Sequence, residues 1–161
     1  MKLAIISDIH DNEAYLEAFL TWAKKNNIET LLVTGDVGTV ETVEMIATFE
    51  GPIYFVFGNA DNFEESDIPK KIISLGQSGT IELDHLRIGL CHQPEKIKKL
   101  LEEKPYIIFH GHTHIPWIKN EGETFIVNPG PLGGQRNPST FAVWDTEKPL
   151  PELVRTDIVT G

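Results

Sequence analysis

Five short apolar runs in this chain each stop at a residue able to hold a metal ion, and no other feature constrains the fold as tightly. Leu3 to Ile6 leads to Asp8 and His10, Thr30 to Thr34 to Gly35-Asp36, and Ile53 to Phe57 to Gly58-Asn59. The alternating Leu86, Ile88 and Leu90 lead to Cys91-His92, and Tyr106 to Phe109 leads to His110, Gly111, His112 and His114. Short β-branched and aromatic runs bounded by glycine and polar residues read as strands. On extended backbone, residues two apart share a side, so Asp8 is expected to point with His10, and His112 with His114. Singly, each of these residues is more often structural than functional. Five strand ends that each finish in a ligand type are hard to ascribe to packing.

Helical signals separate the early strands. Asn12 is placed to cap a helix running to about Asn26, with Tyr15, Leu16, Phe19, Leu20 and Ala23 as its apolar stripe. Val40 to Phe49 predicts a shorter helix, and Pro94 opens another that Pro105 ends. Between Asp61 and Gln77 the charged sequence predicts a connection with at most one short element. From Thr80 the period changes to 2, which predicts a hairpin with Asp84-His85 at its tip, His92 on the side of Ile88 and Leu90, and Cys91 opposite. Strands around Ile115–Lys119, Thr124–Val127, Phe141–Trp144 and Leu153–Thr156 follow. Alternation early and strands late imply an α/β layered fold with two sheets, as one domain over residues 1–161. Ligands in open α/β sheets bind beyond the carboxyl ends of strands, so Asp8, His10, Asp36, Asn59, His92, His112 and His114 are expected on one rim.

Composition narrows the partners. A net charge of −10 disfavours long nucleic acids and anionic membranes, yet leaves a small anionic substrate open if metal ions reverse the sign locally. No apolar stretch approaches a membrane span, the N-terminus has no export signal, and Cys91 has no disulfide partner; the expectation is a cytoplasmic protein. Assembly into homo-oligomers is left open. Two carboxylates, four imidazoles and one amide make a mixed N/O shell, suited to Mn²⁺, Fe, Ni²⁺, Co²⁺ or Zn²⁺ and poor for Ca²⁺. They exceed the needs of one ion, whereas two ions sharing a carboxylate, roughly 3.5–4 Å apart in known two-metal sites, would use them all.

The ordered motifs Asp8-Ile-His10, Gly35-Asp36, Gly58-Asn59-Ala-Asp61, His92 and Gly111-His112-Thr-His114 resemble those of the calcineurin-like metallophosphoesterases. In length the chain resembles the small bacterial and archaeal YfcE/MJ0936-like phosphodiesterase group. The resemblance implies a two-sheet β-sandwich flanked by helices, in four αββα layers. It also implies a phosphoric ester hydrolase with two divalent transition-metal ions, Mn²⁺ favoured. Asp8, His10, Asp36 and His114 would hold one ion, and Asp36, Asn59, His92 and His112 the other. A metal-bridging hydroxide would attack a small phosphate ester in line, with Asp36 and Asn59 serving the chemistry as well as the ions.

Two departures matter. Many relatives place a histidine after the metal-binding asparagine, a candidate acid for the leaving group; here it is Ala60, which leaves metal-bound water or another residue such as His110 as the proton source and tilts the expectation toward diesters with acidic leaving groups. Gln93-Pro94 stands where some relatives have glycine and histidine, so only His92 carries over. Asp61 is expected to orient a neighbouring ligand and Arg136 to contact phosphate. The rival readings are a scaffold like the retromer subunit Vps29, which resembles this fold, and a nuclease or cyclic-nucleotide phosphodiesterase, with Phe63 or Trp117 to stack a base.

Overall fold

A computed structural model describes residues 1–159, the side chains of 158 and 159 excepted. Two sheets form. The first has six strands: β1 (Lys2–Ile6), β2 (Thr30–Val33), β3 (Ile53–Phe55), β4 (Ile72–Ser74), β10 (Thr140–Asp145) and β11 (Glu152–Arg155), in the order β11-β10-β1-β2-β3-β4. The second has five: β5 (Ser78–Leu83), β6 (Leu86–Cys91), β7 (Ile107–Phe109), β8 (Trp117–Glu121) and β9 (Thr124–Asn128), in the order β5-β6-β7-β9-β8. β1 to β4 run parallel, as do β6, β7 and β9, so the carboxyl ends within each parallel set share one edge.

The layers follow from the period of 2. Ala4, Ile6, Leu31, Val33, Ile53 and Phe55 face outward, where α1 (Glu13–Lys25) lays Leu16, Phe19 and Ala23 over them and α2 (Val40–Ile46) adds Val43 and Ile46. The alternate residues Leu3, Ile5, Leu32, Ala142 and Trp144 meet Ile88, Leu90, Ile107, Phe109 and Val127 of the second sheet. On that sheet's far face Cys91 and Ile108 lie under Leu100 of α3 (Ile97–Leu101), on the side opposite Ile88 and Leu90 as the alternation predicts. Helix, sheet, sheet and helix stack, which is the two-sheet α/β architecture expected.

Several boundaries differ from expectation. α2 ends at Ile46 rather than Phe49, where the Thr48 hydroxyl bonds Met45 O at 2.7 Å and competes with the helical ladder. The connection after Asp61 contains β4 as well as a 3-10 turn (Glu65–Asp67) capped by Glu64. Thr156 leaves β11 and starts α4 (Thr156–Val159). β7 stops at Phe109, so no strand carries His112 and His114.

Candidate metal centre

The loops leaving the parallel strands turn sharply. Asp8 (φ 50°), His10 (46°), Asp36 (53°), His112 (73°) and His114 (59°) all occupy the left-handed region. The extended backbone expected through Asp8-Ile-His and His-Thr-His is therefore absent; the side chains converge because the chain coils, not because alternation aligns them. Left-handed backbone at such residues costs about 1–3 kcal/mol each and persists only where surroundings impose it. Here the β1 loop is laced to the β2 loop: Asp8 N donates to Gly35 O (3.1 Å), and both Ile9 N (2.9 Å) and His10 N (3.0 Å) donate to Asp36 O.

The side chains gather into two groups. Asp8, His10 and His114 each offer a ligand atom within 4.8 Å of the others, and Asp36, His92 and His112 do the same. Asp36 Oδ2 lies 3.2 Å from His92 Nε2 and 3.5 Å from His10 Nε2, so its carboxylate stands between the groups. Asn59 Oδ1 lies 3.0 Å from His112 Nδ1 and joins the second group. Asp8 and Asp36 are buried, whereas Asn59 and His112 are exposed at the rim.

Backbone carbonyls set the imidazole tautomers. His92 Nδ1–H donates to Thr34 O at 2.7 Å and His114 Nδ1–H to Gln135 O at 3.2 Å. In the neutral rings each Nε2 then carries a lone pair, facing Asp36 Oδ2 and Asp8 Oδ1 respectively, both at 3.2 Å. Two acceptors so close repel unless a cation or a proton lies between them. Among the described residues, Asp8 Oδ1, His10 Nε2 and His92 Nε2 are buried with no hydrogen-bond partner. Without an ion the proton is the substitute. The adjoining Asp8 carboxylate raises the pKa of His10 against the cost of burial; burial pulls on His92, yet Asp36 and Asp8 carry it upward. Burial would raise Asp36, but the His92 ring and the Ala60 N–H (2.8 Å) hold it below the usual carboxylate range. Orphaned atoms and a mixed N/O donor set both fit divalent cations.

Around these ligands sit residues that hold them. The Asp61 carboxylate accepts the N–H groups of Asp36 (3.1 Å), Val37 (2.7 Å), Gly38 (3.1 Å) and Gly58 (2.7 Å), gathering the β2 and β3 loops. Burial pushes its pKa up against those donors. A side chain at Gly111 would collide with Ser7 Oγ and Asp8 Oδ2, so only glycine lets the β7 loop pass beside Asp8. Asn128 donates to Gly111 O (3.3 Å) and Thr113 Oγ1 (2.9 Å) and accepts from Gly130 N (2.9 Å). Asp11 accepts from Thr39 N (2.8 Å) and Thr42 Oγ1 (2.6 Å) at the start of α2. Sequence reasoning missed Asn128, Asp11 and Asn137; only the Asn128-Pro-Gly turn composition hinted at the first.

His110 lies apart from the rim. It is fully buried, donates Nδ1–H to Gly111 O (2.9 Å) and packs edge-on against Trp117, with Nε2 unpartnered among the described residues. Burial pushes its pKa down to about 4, so at neutral pH the ring is uncharged and its one N–H is engaged by Gly111 O, which disfavours it as a proton donor to a leaving group. Arg136 is exposed, between Gln135, whose carbonyl holds the His114 ring, and Asn137, whose amide holds the His114 carbonyl at 2.6 Å. Phe63 packs with Phe55 and Phe57, and Trp117 with His110 and Lys119. The surface groove lined by Leu20, Met45 and Phe49 lies between α1 and α2, away from all the ligands.

Comparison with known proteins places the chain in a family. Residues 1–149 match the model of the calcineurin-like phosphoesterase superfamily domain. The chain is 22% identical to Phosphodiesterase MJ0936 of Methanocaldococcus jannaschii over 158 residues, covering 92% of this chain and 95% of that one. It is 25% identical to Phosphodiesterase YfcE of Escherichia coli K12 over 171 residues, covering 91% and 89%. Among solved structures, an archaeal phosphodiesterase superposes with a TM-score of 0.86 at 21% identity, covering 96% of this chain and 99% of that one. Zinc-complexed Vps29 of Entamoeba histolytica superposes with a TM-score of 0.71 at 20% identity, covering 97% and 99%. At these identities the superpositions speak to fold. No described helix is long and apolar enough to cross a membrane.

Proposed function

Since the chain belongs to the calcineurin-like phosphoesterase superfamily, we propose that it is a binuclear-metal phosphodiesterase acting on a small phosphate ester. The observation that carries this reading is the pair of ligand groups with the Asp36 carboxylate between them and three buried ligand atoms left orphaned. Asp8, His10, Asp36 and His114 would hold one divalent ion and Asp36, Asn59, His92 and His112 the other, with Mn²⁺ the first choice and Ni²⁺, Fe, Co²⁺ or Zn²⁺ also suited to the donors. When bound, such ions would supply an activated water and neutralise charge on the phosphoryl oxygens.

The chain's own residues do the rest. The carbonyls of Thr34 and Gln135 keep the Nε2 atoms of His92 and His114 turned inward. Asp61 holds Asp36 by its backbone N–H, and the Ala60 N–H holds its carboxylate. Asn59 and His112, exposed at the rim, would meet the ester first, and Arg136 beside the His114 clasp would attract its phosphate. At the exposed Ala60 there is no titratable side chain, and the burial of His110 disfavours it as the acid, which favours leaving groups that depart without a proton. Diesters with acidic leaving groups fit that environment better than alkyl monoesters. The reading takes residues 1–161 as one domain. A lone buried cysteine suits a reducing cytoplasm, and the acidic surface suits small esters rather than long nucleic acids.

The test is hydrolysis of bis-p-nitrophenyl phosphate by chelator-stripped protein titrated with Mn²⁺, Ni²⁺, Mg²⁺ and Zn²⁺, beside Asp36→Asn. Activity should return with about two metal equivalents and fall at least about 10³-fold in the variant, as the loss of a bridging ligand and of its charge implies. Tight metal uptake with no turnover of any ester would overturn the enzyme reading in favour of a Vps29-like scaffold. Turnover of alkyl monoesters as fast as aryl diesters would overturn the diester preference.

A further inference from the structure

The two ligand groups are not held in the same way. Asp61 braces the second through the backbone of Asp36 and Gly58. The first is gripped by residues 132–137. Leu132 N donates to Ser7 O (2.9 Å) and Gly133 N to Asp8 O (3.0 Å), while Asn12 Nδ2 donates to Gly133 O (2.9 Å). Farther along, Gln135 O accepts from the His114 ring and Asn137 Nδ2 donates to His114 O at 2.6 Å. None of these bonds reaches Asp36, Asn59, His92 or His112.

His114 depends on this grip more than any other ligand does. Its φ of 59° is a strained conformation for a non-glycine residue. It lies between β7 and β8, outside either ladder, and is followed by the exposed Ile115. Among the described residues, the bond from Asn137 is the one hydrogen bond made by the backbone of residues 114–116. His114 O is an acceptor, so Asn137 must present its amide N–H, and no apolar residue can replace it.

Resting on the binuclear reading, we propose that Asn137 is a positioning residue for the Asp8–His10–His114 ion site alone, clamping the His114 backbone so that its Nε2 faces Asp8. It acts through His114 and touches neither substrate nor reacting atoms. The consequence is an asymmetric centre, in which one ion site can be loosened from the 132–137 segment while the other stays intact.

The experiment is calorimetric titration of the chelator-treated full chain with Mn²⁺, comparing the unsubstituted protein with Asn137→Ala and with Asn137→Leu, which keeps the volume without the donor. Both variants should weaken one of two Mn²⁺ equivalents by about 10–100-fold, the usual effect of removing a group that orients a ligand, and leave the other unchanged. In a His92→Ala background, which retains the first group, Asn137→Ala should weaken the remaining site; in a His114→Ala background it should have no effect. Circular dichroism melts identify any variant that fails to fold, and the Leu form then carries the comparison. Equal weakening of both equivalents, or of neither, overturns the proposal. An unsubstituted protein that takes up no metal instead defeats the binuclear reading beneath it.

Discussion

Residue by residue, the centre exchanges local comfort for convergence. Five of the candidate ligands sit at positive φ, and atoms of Asp8, His10 and His92 are buried without partners, a cost a globular chain accepts where something else must fill the space. His110 shows a second kind of cost, with a measurable sign. Its pKa falls from the ordinary 6.5 to about 4 on folding because the buried ring stays neutral. A depressed histidine stabilises the fold above its unfolded pKa, and that contribution is lost as the unfolded chain takes up a proton between about 6.5 and 4. Metal-free protein should therefore lose about 2–3 kcal/mol to this group between pH 7 and pH 4.5. In urea unfolding, His110→Gln should show an acid-side decline smaller by that amount; equal declines would mean the ring is already protonated or solvated in the folded state. His10 and His92, with raised values, contribute in the opposite sense, stabilising below their unfolded pKa and losing that contribution as pH rises, so the comparison must be made against the native chain.

Among the elements, α1 was the most legible and β4 the least. The Asn12 cap and the apolar stripe marked both ends of α1, and the helix runs Glu13–Lys25 with Asn12 Oδ1 accepting from Tyr15 N at 3.3 Å. β4 is three residues with Ile73 exposed, too short to show a period, and parallel pairing with β3 alone makes it a strand. The same Asn12 also reaches Gly133 O, so the helix cap and the loop gripping Asp8 are one device. Asn12→Ala should cost about 1–2 kcal/mol of stability in thermal or urea unfolding, at the upper end for an exposed cap because two hydrogen bonds go with one side chain. A loss near zero would mean that water replaces both bonds.

At the scale of the whole molecule, the proposed ions would link metal binding to folding. An ion that binds only the folded chain stabilises it by RT ln(1 + [M]/Kd), about 2.7 kcal/mol at a hundredfold excess over Kd. The melting temperature should rise by several degrees on adding Mn²⁺ to chelator-stripped protein and should respond much less in Asp36→Asn; identical responses would place the bound ions elsewhere. The sequence by itself determined the faces of the strands and the donor types at their ends. A period of 2 assigns each side chain of a strand to a face regardless of what lies opposite, and residue type sets donor hardness, so a two-sheet α/β fold and a mixed N/O donor set could be read from the chain, while the αββα order of layers came from the family resemblance. What only the tertiary structure decided was which ligands share a group, which ring nitrogen faces inward and what holds it there. His112 N bonds Asp8 Oδ2 across a separation of 104 residues, and His114 waits on Gln135 and Asn137. Such contacts depend on sheet register and on left-handed turns that no local pattern encodes, because their cost is local while the interactions that offset it come from distant strands.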